Sequence, residues 1–88
     1  MSDLPRMRNE IRAKLFELAD EFAEVPETIE DGDNILELGI LDSLGVLQLL
    51  AWYEEQYGFQ LSDDEVNVTN LGTIADMAIF AAKKMGNA

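Results

Sequence analysis

Apolar residues recur at three- and four-residue intervals along most of this 88-residue chain, and that rhythm decides its fold class. Leu4, Met7, Ile11, Leu15, Leu18, Phe22 and Val25 form one stripe on a helix. Pro5 suits the first turn, where a missing N–H costs nothing, and Ser2 or Asp3 is available as the cap. Glu10 precedes Lys14 by four residues, the favourable order for a surface ion pair. Val25-Pro26 is expected to close the helix, because the residue before a proline is pushed out of the α region. A second helix is expected from Ser43 to Tyr57, stopped by Gly58. Ser62 with Glu65 three residues on fits a capping box and starts a short third helix reaching Val66. Ile74, Met77, Ala78, Ala81 and Met85 stripe a last helix. Asn70 or Thr73 caps it, and Lys83 and Lys84 complement its C-terminal dipole. Three longer helices, a short one and no alternating strand pattern predict an all-α four-helix bundle. The length allows a single domain, residues 1–88, with a core just large enough to fold alone.

Residues 26–42 connect the first two helices and contain the turn signal Asp31-Gly32-Asp33-Asn34. Ile35, Leu36, Leu38, Ile40 and Leu41 must be pinned onto a core, so this long loop is expected to be ordered. The second helix carries two apolar faces. At 100° per residue, Val46, Leu49, Leu50, Tyr53 and Tyr57 cluster on one side and should contact the core. Leu44, Leu47 and Ala51 lie roughly opposite, interleaved with Gln48 and Glu55, with Trp52 at the margin. A surface helix needs one apolar stripe; a second, ringed by acids, fits a docking patch for a partner.

Charge narrows the function. Asp and Glu number 18 against 6 Lys and Arg, for a formal net charge of −12. All six cations lie near the ends, and residues 15–82 hold 16 acids and no Lys or Arg. Such a surface repels the phosphates of nucleic acid and an anionic membrane. No apolar run approaches the roughly 18 residues of a membrane span, and Met1-Ser2-Asp3-Leu4-Pro5 lacks a signal pattern, so a cytoplasmic monomer is expected. In an antiparallel bundle the cations should gather at the end remote from Ser43. The acidic surface suits solubility, or a basic protein partner.

Ser43 cannot be the nucleophile of a triad, because the chain has no His and its lysines lie at the chain ends. With no Cys, thiolate catalysis and Cys-based zinc sites are absent too. Asp31, Asp33 and Asp42 fit EF-hand positions 1, 3 and 12, but Ile35 and Leu36 occupy positions that need an oxygen ligand and a glycine. No metal site is expected. On these two residues alone, Asp42-Ser43 reads as an ordinary helix cap.

The longer context changes that reading. Asp33-Asn34-Ile35-Leu36-Glu37-Leu38-Gly39-Ile40-Leu41-Asp42-Ser43-Leu44 resembles the signature of acyl carrier and peptidyl (aminoacyl) carrier proteins, and the likeness extends to Glu54-Glu55-Gln56-Tyr57-Gly58 and Asn70-Leu71-Gly72-Thr73-Ile74. The resemblance implies a four-helix carrier with no catalysis of its own. A phosphopantetheinyl transferase would attach 4′-phosphopantetheine from coenzyme A to Ser43, with Asp42 positioning the modification. The arm would hold cargo as a thioester supplied by an adenylating aminoacyl or acyl ligase and passed to a downstream acceptor enzyme. Leu44 and Leu47 match the family's partner-facing positions, so partners are expected on Leu44, Leu47, Gln48, Ala51 and Glu55. Carriers of fatty-acid synthesis typically place acids two and five residues after the serine; Gly45 and Gln48 stand there in this chain. Ser-Leu-Gly-Val-Leu-Gln-Leu and Trp52 look closer to stand-alone carriers that serve adenylating ligases. The competing reading is an unmodified acidic adaptor that binds a partner through Leu44, Leu47 and Ala51.

Overall fold

Three apolar stripes too wide to face water close on one another and set the architecture. The structure, a computed structural model, describes residues 3–86, so the alternative cap Ser2 lies outside the described residues. Its helices are α1 (Leu4–Leu18), α2 (Ser43–Tyr57), α3 (Val68–Leu71) and α4 (Ile74–Lys84), with a single 3₁₀ turn at Asp63–Glu65 and no strand among the described residues. The fold is the expected all-α bundle of three longer helices and a short one.

Met7, Ile11 and Leu15 of α1, Leu49, Tyr53 and Tyr57 of α2, and Ile74, Met77, Ala78 and Ala81 of α4 make the core. The two buried tyrosines bring polar tips with them, and both are satisfied. Tyr53 donates its hydroxyl to the Met77 carbonyl at 2.6 Å, and Tyr57 donates to Glu10 Oε1 at 2.8 Å. Burial holds both phenols far above their ordinary pKa, with the neighbouring Tyr57 and Glu10 respectively adding to it, so both remain neutral donors. The Glu10–Tyr57 bond joins the start of α1 to the end of α2, and Asp20 N–H donates to the Ile40 carbonyl at 2.7 Å near the opposite ends. These two helices are therefore antiparallel. Tyr53 meets Met77 and Phe59 meets Phe80, so α4 runs in the same direction as α2.

The second helix has the expected bounds. Gly58 adopts φ 73°, the left-handed stop that a side chain would strain, and its N–H returns to the Glu54 carbonyl. Thr73 caps α4 by accepting from Asp76 N–H at 3.0 Å.

The first helix is shorter than the stripe suggests. It ends at Leu18 rather than Val25, because Asp20 offers its neighbours better bonds than a helix would. Its carboxylate accepts Phe22 N–H at 3.0 Å while its own N–H is taken by Ile40. Phe22, expected on the stripe, is 88% exposed, and Val25 is exposed as well. Asp3 holds the cap position without a side-chain cap bond. Glu10 pairs with Arg6 at 3.7 Å and leaves Lys14 to Glu17 at 3.3 Å, in place of the expected Glu10–Lys14 pair.

The region after α2 also differs. Ser62 N–H donates to Glu65 at 2.9 Å, and that bond, with Lys84 second, holds the Glu65 carboxyl below its ordinary pKa. Only a 3₁₀ turn follows it. The α-helical turn comes at Val68, where Asn67 accepts from Asn70 N–H at 2.8 Å.

The long connection is ordered by burying Ile29, Ile35 and Ile40, with Leu38 and Leu41 packed beside them. Leu36, expected inside, is instead 60% exposed. Polar stitches hold the backbone. Arg12 Nε donates to the Ile29 carbonyl at 2.7 Å, and the same guanidinium pairs with the Asp31 carboxylate, which Arg8 also reaches at 3.3 Å. Asp31 and Gly72 carbonyls accept Ala75 and Ile35 N–H at 3.0 and 2.8 Å. Arg6, Arg8, Arg12 and Lys14 lie within four residues of Glu10, whose partner Tyr57 ends α2, and Lys83 and Lys84 close α4, so the cations lie toward the end remote from Ser43, as expected. Arg6 pairs with Glu10, Lys84 pairs with Glu65, Arg8 and Arg12 serve the loop, and Lys14 lies 5.9 Å from the Trp52 ring centre.

Arg12→Ala removes a charge-assisted bond to a carbonyl and half of the Asp31 clasp. It should lower the free energy of urea unfolding by about 2 kcal/mol. An unchanged midpoint would show that the isoleucines alone hold the loop.

Candidate functional site

Ser43 occupies the first helical position of α2, delivered there by a loop whose last turn is made at Gly39 (φ 68°). The capping work is done one residue earlier. Asp42 is extended (ψ −176°), its Oδ1 accepts Gly45 N–H at 2.7 Å, and its carbonyl accepts Val46 N–H at 3.0 Å. Ser43 is exposed, and its hydroxyl has no hydrogen-bond partner among the described residues. The cap reading thus describes Asp42 and leaves the serine oxygen free for chemistry. No lysine is poised to activate it as a base. Lys14 is engaged by Glu17 and the Trp52 face, Lys84 by Glu65, and Lys83 lies in the last turn of α4, away from the head of α2. No three carboxylates converge into a metal-holding cluster among the described residues.

The two faces of α2 separate as the pattern implies. Gly45, Leu49, Tyr53 and Tyr57 are buried. Leu44 and Leu47 are 61% and 64% exposed, with Gln48, Ala51 and Glu55 exposed along the same side. Gly45 lies beneath the Leu41 and Asp42 side chains, where even a Cβ would sit 3.3 Å from each. The missing acid at position 45 therefore does not thin the charge of the outer face; the neutral Gln48 does.

Two features escaped the pattern. Val46 and Leu50, expected in the core, are only half-buried and line an apolar cavity of about 200 Å³ with Leu36, Leu41, Val68 and Leu71. Val66 and Val68 were the available signal, as valines in a segment with no helical stripe of its own. Lys14 and Leu18 of α1 share an open groove with Gln48, Ala51, Trp52 and Glu55, so the outer face extends beyond α2. Single-helix periodicity carries no information on such a pairing.

The family model described as a phosphopantetheine attachment site matches residues 13–80. The D-alanyl carrier protein of Abiotrophia defectiva is 30% identical over 73 residues, which is 82% of this chain and 92% of that protein.

Because Asp42 caps α2 and Ser43 does not, the two substitutions should separate. Asp42→Ala should cost about 1 kcal/mol in chemical denaturation, and Ser43→Ala should stay within about 0.5 kcal/mol of the parent. The reverse order would assign the cap to Ser43.

Proposed function

Because the chain belongs to the phosphopantetheine-attachment family of carrier proteins, which bear covalently attached 4′-phosphopantetheine and are not catalytic, we propose that Ser43 is the attachment site here. The observation that carries this reading is the exposed Ser43 hydroxyl, unpartnered at the head of α2 while Asp42 alone satisfies the helix start. The site fits the group. The hydroxyl has open access, and a helix N-terminus favours the negative charge of a phosphodiester through its amide ends and dipole.

In the modification, Ser43 Oγ forms a bond to the phosphorus of coenzyme A that bears the pantetheine. The bond from that phosphorus to the nucleotide half breaks, and the serine proton leaves with the transferase. No base of this chain takes part. Asp42 positions the step by fixing the first turn through Gly45, so that Oγ is presented outward. The attached arm supplies a thiol that holds aminoacyl or acyl cargo as a thioester. The name of the Abiotrophia relative favours the aminoacyl branch.

Partners in this reading are a phosphopantetheinyl transferase, an adenylating aminoacyl or acyl ligase and an acceptor enzyme. They would grip Leu44 and Leu47, with Gln48, Ala51 and Glu55 around them. A charge of −12 opposes self-association, consistent with a monomer. No helix among the described residues is long and apolar enough to cross a membrane, which suits work among cytoplasmic enzymes.

Treatment with coenzyme A and a broad-specificity transferase should add the mass of one phosphopantetheine to the intact protein, and Ser43→Ala should abolish the addition. No adduct where a control carrier loads fully would favour an unmodified adaptor. Leu47→Asp should keep the parent melting temperature, because the side chain is 64% exposed, yet raise the KM for loading about tenfold by removing an apolar contact. Unfolding of this variant would place Leu47 in the core instead.

A further inference from the structure

Phe22 is the most exposed large apolar side chain among the described residues, at 88%, yet it does not sit on a loose segment. Asp20 holds it in a hydrogen-bonded turn, accepting Phe22 N–H on its carboxylate at 3.0 Å and Ala23 N–H on its carbonyl at 3.0 Å. Asp20 N–H in turn fastens that turn to the carbonyl of Ile40, a fully buried residue three positions ahead of Ser43. An aromatic ring is thus displayed in water by the same backbone bond that fixes the chain leading to the serine. Scattered exposed apolar residues need no explanation; one held outward at the head of the functional helix does.

Its surroundings select an occupant. Glu17, Asp20, Glu21 and Glu24 flank it in sequence, and no cation lies between Lys14 and Lys83. A second copy of this chain, an anionic lipid surface and nucleic acid would all be repelled. The complement is an apolar pocket rimmed by Lys or Arg. An enzyme that acts on Ser43 with coenzyme A must hold that cofactor's phosphates, and therefore carries such basic groups beside the place where Ser43 arrives.

We propose that Phe22 is a second docking anchor, seated in a basic-rimmed apolar pocket of the phosphopantetheinyl transferase while Leu44 and Leu47 are gripped from α2. The inference rests on the reading of Ser43 as the attachment site. Two separated anchors fix the orientation of a small bundle in a way that one helix face cannot, because a single face allows rotation about its own contact.

The test is the initial rate of pantetheinylation of the full, unmodified chain by a broad-specificity transferase and coenzyme A. Phe22→Ser should raise the KM for the carrier about five- to tenfold, as loss of one interface anchor does, with kcat and the melting temperature unchanged. Phe22→Leu should retain most of the affinity. Glu21→Gln with Glu24→Gln should raise KM at low salt and flatten its salt dependence. A parent protein that never loads sinks the attachment reading. A parent that loads normally, with Phe22→Ser at parental KM, overturns the anchor alone. A fall in melting temperature for Phe22→Ser would also overturn it, by showing that the ring stabilises the fold.

Discussion

The docking of the segment between α1 and α2 onto the bundle is the constraint on which everything else depends. A segment of that length in so small a protein would ordinarily wander, at an entropic cost that grows with every residue fixed. Ile29, Ile35 and Ile40 bury their side chains at intervals along it. Backbone bonds to Asp20, Gly72 and Ala75 and the Arg8–Asp31–Arg12 clasp hold the stretches between them. The last of these isoleucines lies three residues before Ser43. The start of α2, and with it the presentation of the serine, is therefore decided by packing outside the helix. A helix free to begin one residue earlier or later would rotate its outer face by about 100°.

That rotational setting matters because α2 serves two environments. Gly45, Leu49, Tyr53 and Tyr57 are committed to the core, so Leu44, Leu47 and Ala51 are committed to water whatever solvation would prefer. The core side is locked by hydrogen bonds as well as burial, through the phenols of Tyr53 and Tyr57. A face exposed because its opposite is pinned is pre-organised, and a partner that covers it does not have to reorder it.

Periodicity was enough to read the existence of the three longer helices, the bounds of α2 and its division into two faces. Those properties follow from spacing within one segment. What was not legible depended on groups distant in sequence. Phe22 and Val25 continue the α1 stripe perfectly, and only the competition between helical bonds and those that Asp20 makes to Phe22 and Ile40 turns them outward. Leu36 looked like its neighbours Ile35 and Leu38, yet Asn34 accepts from its N–H and from Glu37 N–H in a turn that leaves it outside. Lys14 fitted a pair with Glu10, but Tyr57, far along the chain, claims that carboxylate. The candidate attachment serine was legible as a motif. Its free hydroxyl was not, because the choice between residues 42 and 43 as the cap is settled by backbone geometry.

The charge distribution acquires its meaning from how the cations are used. Arg6 is taken by Asp3 and Glu10, Arg8 and Arg12 by Asp31, Lys14 by Glu17 and the Trp52 ring, and Lys84 by Glu65. Outside the Asp31 clasp, which Arg12 reinforces through the Ile29 carbonyl, these are solvent-facing pairs worth little to stability. Their consequence is electrostatic: five of the six cations are neutralised locally and cancel little of the field elsewhere. The turn that carries Phe22 and the approach to Ser43 keep their acids without compensation. A carrier that performs no chemistry must be found by each enzyme that does. An uncompensated acidic surface extends the reach of that encounter to about a Debye length, while the apolar side chains inside it bind only when orientation is correct. Long-range attraction and short-range selection are thereby assigned to different residues, so partners can share the first and differ in the second.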